Sequence, residues 1–268
     1  MIDRGKRSIL GIGVNVIDYE GVVARVIESA HAKENCTVSA LAVHGVMSGA
    51  LDSAQKYRLN RLDIVTPDGQ PVRWALRLLH GEALKDRVYG PNLTLKICEQ
   101  AEQEGLSIFL FGSRLEVLEK LASRLKELFP KLKIAGMEPS AFRTGNRDES
   151  EILAQRILSS GADIVFVGLG CPRQEIFAFE NADRLSLPII AVGAAFDFHA
   201  GLLAQAPPWM QERGLEWLYR LTREPGRLWR RYLYLNPAYC LLLVAQMFKL
   251  EKYVTPTGKR PDAEVNYL

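Results

Sequence analysis

Gly168 and Gly170 lie where a short apolar run gives way to polar residues. The run, residues 164–168, carries no polar side chain, which predicts a buried strand of a parallel sheet. The two glycines let the backbone turn tightly, and Pro172 fixes φ at the first position of a predicted helix. The unpaired N–H groups at the start of a helix attract an anion. These residue types and their spacing favour a site for a nucleotide or a sugar phosphate.

Three polar side chains, those of Arg173, Gln174 and Glu175, open the predicted helix and would face such a ligand. The same stretch is equally compatible with an ordinary strand-to-helix turn, because a glycine pair alone is a weak signal. Both interpretations stay open on these residues.

The carboxylate of Asp68 is a second candidate for chemistry. Residues 62–65 predict a short strand, Pro67 cannot continue its hydrogen-bonding ladder, and Gly69 frees the turn that follows. Asp68 is therefore predicted at the carboxyl end of a strand, which is the edge at which open α/β sheets bind ligands. Asp before Gly is also a common turn pair, so the motif alone is compatible with a purely structural role.

Five arginines lie between residues 220 and 231, against one acidic residue, Glu224. The arginines are Arg220, Arg223, Arg227, Arg230 and Arg231. The aromatic residues that alternate with them are Trp217, Tyr219, Trp229, Tyr232 and Tyr234. The mixture is typical of a membrane interface or of a site for a phosphate-rich ligand, and it also fits a solvated helical face.

Strands and helices that alternate along the chain would position these residues. The predicted strands are 9–17, 36–43, 62–65, 107–111, 132–135, 164–168 and 187–192. The predicted helices are 20–33, 46–57, 71–80, 93–104, 115–128 and 149–160, with Asn92 capping the fourth. This alternation predicts an α/β fold: a doubly wound, Rossmann-like, mostly parallel sheet with a basic C-terminal helical appendage.

Three parts are predicted along the chain: a Rossmann-like catalytic domain at 1–204, a membrane-associating helical appendage at 205–254 and a disordered tail at 255–268. The appendage begins as one helix at a double proline and restarts at Glu224-Pro225. Residues 238–248 are apolar but too few to span a bilayer, so they pack as a helix, dip into one leaflet or join a partner subunit. The polar residues 138–150 predict a mobile loop.

Composition excludes several classes of protein. A formal net charge of +3 over 268 residues does not indicate a nucleic-acid-binding protein. The cysteines, Cys36, Cys98, Cys171 and Cys240, are far apart, which argues against a structural zinc site and a disulfide framework and favours reduced thiols in a cytoplasm. The apolar run at 9–17 has no cleavage site of a signal peptide and is interpreted as a strand.

Taken in order, the motifs of residues 11–232 resemble the WecG/TagA/CpsF glycosyltransferases (glycosyltransferase family 26), which make lipid-linked precursors of teichoic acids, enterobacterial common antigen and capsular polysaccharides. The resemblance lies in Thr66-Pro67-Asp68-Gly69, Arg87 with Gly90, Phe111-Gly112, Gly168-Leu169-Gly170 with Pro172, Gln174 and Glu175, Gly193 through Gly201, Ala206-Pro207 with Trp209, Glu216-Trp217-Leu218-Tyr219-Arg220, and Glu224-Pro225 with Arg227 and Arg230.

The resemblance implies an inverting transfer of an N-acetylmannosamine-type sugar from a UDP donor to an undecaprenyl-diphosphate-linked acceptor, without a metal or cofactor. It also implies a cytoplasmic protein, peripheral on the inner face of the cell membrane, and a homo-oligomer is compatible with it. By the family pattern Asp68 is the catalytic base, Gln174 contacts the donor, and Arg220, Arg227 and Arg230 close over the site. The substrate-binding residues expected on this basis are His44, Arg87, Gly90, Asn92, Gly112, Gly168, Gly170, Pro172, Gln174, Glu175, Gly193, Asp197, Arg220, Arg227 and Arg230.

Residue chemistry agrees with these implied roles. An inverting transfer needs a carboxylate that takes the proton of the attacking hydroxyl while the anomeric centre becomes oxocarbenium-like. A diphosphate that leaves without a metal needs positive groups, and guanidinium forks match phosphate geometry.

The chain departs from the family where Thr and Asn usually follow the second strand, because residues 39–45 provide neither. His44 either replaces the missing amide or caps the next helix. Two rival functions are a dinucleotide oxidoreductase and a sugar-nucleotide-binding regulator without turnover. The oxidoreductase fingerprint is incomplete, since neither Gly11-Ile12-Gly13 nor Gly168-Leu169-Gly170 is followed by a third glycine at the required spacing.

Overall fold

The computed structural model describes residues 1–250 and 258–268, with only the backbone at Arg231. The strands are β1 (Asp3–Ile9), β2 (Ile12–Ile17), β3 (Cys36–Leu41), β4 (Ile64–Pro67), β5 (Ser107–Gly112), β6 (Lys133–Glu138), β7 (Thr144–Gly145), β8 (Ile164–Gly168), β9 (Pro188–Ala191) and β10 (Asn266–Tyr267). The helices are α1 (Tyr19–Ala32), α2 (Val43–Leu51), α3 (Ser53–Arg61), α4 (Gln70–His80), α5 (Gly90–Gln103), α6 (Leu115–Leu128), α7 (Arg147–Ser159), α8 (Arg173–Leu185), α9 (Ala195–His199), α10 (Pro208–Glu212), α11 (Glu216–Arg223) and α12 (Pro225–Met247).

The main sheet has six parallel strands in the order β4-β3-β9-β8-β5-β6. Side chains alternate between two apolar layers: Val165 and Val167 of β8 belong to the core on one face, and Ile164 and Phe166 to the core on the other. Helices cover both faces, which is why β8 is apolar at every position. The predicted doubly wound, mostly parallel α/β fold is confirmed.

The strand predicted at 9–17 is confirmed for residues 12–17, but its first residues belong to the end of β1 and to the turn of an antiparallel hairpin. Strand β1 pairs with β2, and the chain reverses at Leu10 and Gly11, both with positive φ. The buried Asn15 accepts a hydrogen bond of 2.9 Å from the backbone N–H of Val65, which joins the hairpin to the edge strand β4. The side-chain pattern of the strands continues through the tight turn. It therefore does not show that the chain reverses there.

Helix boundaries also differ from the predictions. The helix predicted at 46–57 is two helices, because Asp52 ends α2 and its carboxylate caps α3 through the N–H groups of Ala54 and Gln55. Asn92 does not cap α5, which begins at Gly90, and it lies in the first turn of that helix instead.

Two further boundary predictions are wrong. Pro172 is the N-cap residue of α8 rather than its first helical residue. In the appendage, α10 and α11 are separate helices because Gly214 has a φ of 70°. A side chain at this position would lie 2.6 Å from the Trp74 ring, so the break is built around a glycine.

The disordered tail predicted at 255–268 is wrong for the part that the structure describes. Asn266 and Tyr267 pair with Gly145 and Thr144 in an antiparallel ladder. The same ladder places a strand inside the predicted mobile loop 138–150. Strands β7 and β10 are both short, and each is ordered because it pairs with the other. Residues 251–257, which include the predicted end of the appendage, lie outside the described residues.

Helix α12 packs one face on the sheet domain. Tyr239 is buried and donates a hydrogen bond to the carbonyl of Pro71, and Leu235 and Leu242 contact the core on the same face. Gln246, which interrupts the apolar run, accepts from the N–H of Leu10 and donates to the carbonyl of Ser8. Of the three alternatives for residues 238–248, packing as a helix is the one observed. None of the helices in the described residues is long and apolar enough to cross a bilayer.

A buried ion pair between Arg58 and Glu180 joins α3 to α8, and both side chains are less than a tenth exposed. We expect Glu180→Ala to lower the free energy of unfolding by about 3–5 kcal/mol, because it leaves a buried guanidinium without its partner. Urea denaturation measures this loss. The matched control is Glu127→Ala, whose pair with Arg124 is exposed and contributes less than about 1 kcal/mol. Similar losses in the two variants would contradict the assignment.

Candidate active site

A cleft of about 450 Å³ opens at the carboxyl ends of the parallel strands. The residues that follow successive strands and line it are Ala42, Asp68, Ser113, Gly170 and Gly193. Helices α11 and α12 of the appendage close one side of the cleft with Glu216, Arg220, Arg227 and Leu228. Charged residues from the C-terminal third of the chain therefore lie at the sheet edge at which α/β proteins bind ligands.

Asp68 lies directly after β4 and is held from two sides. Its Oδ1 accepts a hydrogen bond of 2.6 Å from the N–H of Gly90, and its carbonyl accepts one of 3.2 Å from Arg87. A side chain at Gly90 would contact Oδ1 and the methyl group of Ala40, so glycine here lets the first turn of α5 approach the carboxylate. The prediction that Asp68 stands at the carboxyl end of a strand is confirmed.

The protonation of Asp68 is tuned by its surroundings. Burial raises the pKa of Asp68 to about 6, and the charge of Arg87 opposes this shift while the charge of Glu216 adds to it. The carboxyl group is therefore mainly ionised near neutral pH, but it holds a proton more readily than an exposed aspartate. This is the protonation behaviour of a general base.

Glu216 connects the appendage to this carboxylate. It accepts hydrogen bonds from Arg87 at 2.8 Å and from the Tyr89 hydroxyl at 3.2 Å. Arg87 also donates to Gln211 at 3.0 Å, and its guanidinium lies 4.0 Å from the centre of the Tyr89 ring. These contacts hold α10 and α11 against the segment between α4 and α5, whose Arg87 in turn donates to the carbonyl of Asp68. Sequence analysis placed Glu216 in a family motif without assigning it a role, since its partner lies 129 positions away.

Gln174 and Glu175 belong to a second hydrogen-bonded group at the cleft, separate from the bonds around Asp68. Gln174 accepts from the N–H of Gly170 at 3.1 Å and donates to Glu175 at 2.9 Å, and Glu175 also accepts from the Ser39 hydroxyl at 3.0 Å. Burial raises the pKa of Glu175. Gly193 completes the arrangement, because a Cβ there would lie 2.9 Å from the Gln174 side chain.

Two arginines of the appendage reach the cleft. Arg220 and Arg227 line it, and both form ion pairs with Glu224, at 3.9 and 2.7 Å. Arg220 is mostly buried, and its Nε has no hydrogen-bond partner among the described residues. Asp197 faces the same space, and burial raises the pKa of its carboxyl group although Arg227 opposes the shift. The appendage therefore contributes two arginine side chains to the lining of the cleft.

The structure brings most of the predicted site residues together. Those that line the cleft are Asp68, Gly168, Gly170, Gln174, Glu175, Gly193, Asp197, Arg220 and Arg227. Arg87, Gly90 and Pro172 lie one layer behind: the first two bond to Asp68, and Pro172 caps α8.

Besides Arg87, Gly90 and Pro172, four further predicted site residues do not line the cleft. His44 lies half-buried in the first turn of α2, and Asn92 is exposed beside Tyr19. Gly112 serves packing, since a Cβ there would lie 2.8 Å from the backbone of β8. Arg230 is exposed and lies over the ring of Trp229. The periodicity of a sequence does not show which face of a helix meets the cleft, so it does not predict which helical residues line it.

Several cleft residues were not predicted at all. Arg114 and Phe142 border the cleft from the segments that follow β5 and β6, and Cys171 lies in the turn before α8. An arginine, an aromatic residue and a cysteine in loops give no periodic signal, and only the fold shows where they lie. No group of three or more His, Cys, Asp or Glu in the described ranges is arranged to hold a metal ion.

The chain belongs to the glycosyl transferase WecG/TagA/CpsF family, whose sequence model matches residues 7–253. It is 32% identical over 212 residues to the N-acetylglucosaminyldiphosphoundecaprenol N-acetyl-beta-D-mannosaminyltransferase of Bacillus spizizenii (strain ATCC 23059 / NRRL B-14472 / W23), a match that covers 78% of this chain and 74% of the relative. It is 31% identical over 189 residues to the enzyme of the same name from Bacillus subtilis (strain 168), covering 70% and 71%. The chain is therefore a glycosyltransferase, and the family resemblance found in the motifs is confirmed.

The balance of charges around Asp68 makes a prediction about its titration. We expect Glu216→Gln to lower the pKa of Asp68 below about 6, because it removes a negative neighbour. Carbon-13 NMR of the aspartate carboxyl groups measures the midpoint, with the Asp68 signal assigned by its loss in Asp68→Asn. Glu212→Gln, an exposed change on α10, is the control and leaves the midpoint unchanged. An unshifted midpoint in Glu216→Gln would show that the two carboxylates do not interact.

Proposed function

We propose that this glycosyltransferase moves an N-acetylmannosamine-type or related sugar, with inversion, from a UDP donor to an acceptor linked to undecaprenyl diphosphate. The names of the two Bacillus relatives support the sugar and the lipid acceptor. The observation that carries the proposal is Asp68, an ionisable carboxylate with a raised pKa in the same cleft as Arg220 and Arg227.

In the proposed reaction Asp68 acts as the general base. The Gly90 N–H fixes its Oδ1, and no hydrogen bond from the described residues occupies Oδ2. That oxygen accepts the proton of the acceptor hydroxyl as the hydroxyl oxygen bonds to the anomeric carbon and the bond from that carbon to the UDP oxygen breaks. The displaced UDP leaves with the bonding electron pair, and Asp68 then releases its proton to solvent.

The leaving diphosphate is stabilised by guanidinium groups in this account. The position of Arg220 in the cleft lining supports that role, and Arg227 borders the same space. Cations placed where negative charge develops lower the barrier most when the site excludes water. Arg230 gains no support for a direct contact, because it lies over Trp229 on the exposed side of α12.

The family usually has Thr and Asn after the second strand to hold the donor, and this chain has neither at residues 39–45. Ala40 in β3 and Ala42 directly after it line the cleft, whereas His44 does not. The proposal that His44 replaces the usual amide therefore loses its geometric basis, and Gln174 remains the amide that faces the donor. Two small apolar side chains in place of hydrogen-bonding ones change the pocket for the sugar, which is why the proposal extends to related sugars.

Helix α12 supports a peripheral position on the inner face of the cell membrane. Its outward side carries a stripe of exposed apolar residues at helical spacing, namely Leu233, Pro237, Leu241, Val244 and Phe248. The inward side packs on the sheet domain, so the helix is apolar on both faces. An exposed apolar stripe beside arginines fits the headgroup boundary of an anionic membrane. The lipid-linked acceptor would be reached from there.

A sugar-nucleotide-binding regulator is the rival proposal. It predicts UDP-sugar binding without turnover and gives no reason for a carboxylate with a raised pKa beside two cleft arginines. The oxidoreductase alternative is set aside because the chain belongs to a glycosyl transferase family.

Replacing Asp68 tests the proposed base. We expect Asp68→Asn to lower kcat by about 10²–10⁴-fold with little change in the KM of the UDP donor, because the amide cannot accept the proton. For the wild type, kcat/KM rises with pH through about 6, since the base acts only when ionised. UDP release with a synthetic polyprenyl-diphosphate acceptor measures both. Asp183→Asn, an exposed change on α8, is the control. Full activity in Asp68→Asn would refute the assignment, and binding of UDP-sugars without UDP release by the wild type would favour the regulator.

The exposed stripe makes a separate prediction about membranes. We expect the double variant Leu241→Glu/Phe248→Glu to lose most of its co-sedimentation with vesicles that contain phosphatidylglycerol, because two charges replace apolar contacts. Leu158→Glu, which changes an exposed leucine on α7, is the control and pellets like the wild type. If the double variant still pelleted fully, α12 would not be the membrane-binding surface.

A further inference from the structure

Residues 264–268 dock against the loop that borders the cleft. Strand β10 pairs with β7, and the N–H of Leu268 donates to the carbonyl of Arg143 at 3.1 Å. The side chain of Leu268 occupies the space beside Gly145, where a Cβ would lie against it. We name residues 264–268 the C-terminal clasp and residues 139–146 the rim loop.

One hydroxyl links the clasp to the cleft. Ser140 donates from its Oγ to the carbonyl of Leu268 at 2.5 Å and accepts at the same oxygen from the N–H of Phe142 at 2.9 Å. Phe142 lines the cleft and has a φ of 54°, a conformation that residues other than glycine rarely adopt. The clasp therefore holds the backbone of a cleft residue in a conformation that needs external support.

The clasp also contacts the other border of the cleft. The ring of Tyr267 lies 5.7 Å from the guanidinium carbon of Arg173, which opens α8 directly after the glycine turn. Glu264 forms an ion pair of 3.6 Å with Arg184 on the same helix. One short segment thus joins α8 to the rim loop, and its Tyr267 and Leu268 also pack against the core.

The rim loop has few other attachments. Ser140 donates its N–H to the carbonyl of Ser113, and Arg143 pairs with Glu149, which is part of the capping box of α7. These contacts fix the ends of the loop. Phe142 is half-exposed between them and has the clasp as its support through Ser140.

We propose that the C-terminal clasp is a positioning element for the donor: it holds the rim loop, and with it Phe142, at the mouth of the nucleotide-sugar cleft. The reference to a donor rests on the proposed function, whereas the effect on the loop does not. The clasp takes no part in proton transfer, so its loss raises the KM of the donor and leaves kcat nearly unchanged.

The test compares the full 268-residue chain with a variant that ends at residue 263. Trypsin cleavage after Arg143 in the folded protein is the first readout, because proteolysis of a loop follows the population of its open state. We expect cleavage to accelerate by about tenfold in the truncated variant and the donor KM to rise by a similar factor. Asp262→Ala, whose side chain pairs with Lys259 on the exposed side, is the control and matches the wild type in both.

Ser140→Ala is the second variant, and it removes only the hydroxyl between Leu268 and Phe142. We expect it to accelerate cleavage after Arg143 and to raise the donor KM, each by a smaller factor than the truncation. If the truncated chain does not fold, this variant alone tests the proposal. Unchanged cleavage after Arg143 in Ser140→Ala and in a folded truncated variant would overturn the proposal. Faster cleavage without any change in donor KM would overturn the link to the donor. Faster cleavage in a protein that releases no UDP would leave the clasp intact and count against the proposed function.

Discussion

A mostly buried ion pair between Arg87 and Glu216 holds the two parts of this molecule together. The pair joins the segment between α4 and α5 to the start of α11, across 129 positions of sequence. Removing two charges from water is costly, and a pair of this kind is stable only when its remaining donors and acceptors are satisfied. Here Gln211, Tyr89 and the Asp68 carbonyl satisfy them. The appendage is thus fixed to the sheet domain at the carboxylate on which the proposed chemistry depends.

The same pair sets the electrostatics of the cleft. Arg87 alone would hold the pKa of Asp68 down, and Glu216 counters that effect, so burial decides the direction of the shift. The raised pKa suits a base that must collect a proton near neutral pH and release it again. Arg220 and Arg227 form their ion pairs with Glu224 rather than with Asp68.

The six strands of the main sheet were predicted because each is an apolar run bounded by turn residues, and Asp68 and Gln174 were placed correctly because both follow such a strand. The errors have a different origin. The N-terminal hairpin and the β7–β10 ladder depend on pairing with distant segments, which local patterns do not encode. His44 and Arg230 were expected in the cleft, but the side of a helix that faces a site is set by tertiary packing. The hydrogen bonds of Glu216 go to Arg87 and Tyr89, which are distant in the sequence.

Both faces of α12 are apolar, and this explains why composition could not distinguish a packed helix from a membrane-associated one. One face is covered by the sheet domain through Tyr239 and Gln246, and the other is open. If the proposed function holds, a helix that packs on the domain containing Asp68 and also meets a bilayer would bring a lipid-linked acceptor close to Asp68.

A double-mutant cycle on kcat/KM tests the central claim, that Arg87 and Glu216 act as one unit in positioning the site. The variants are Arg87→Met, Glu216→Gln and the two combined. Each single change breaks the pair, so the account predicts that the double variant is about as active as the worse single variant, with a coupling of about 2 kcal/mol or more. Losses that add, with no coupling, would show that the two residues act independently and would contradict the account.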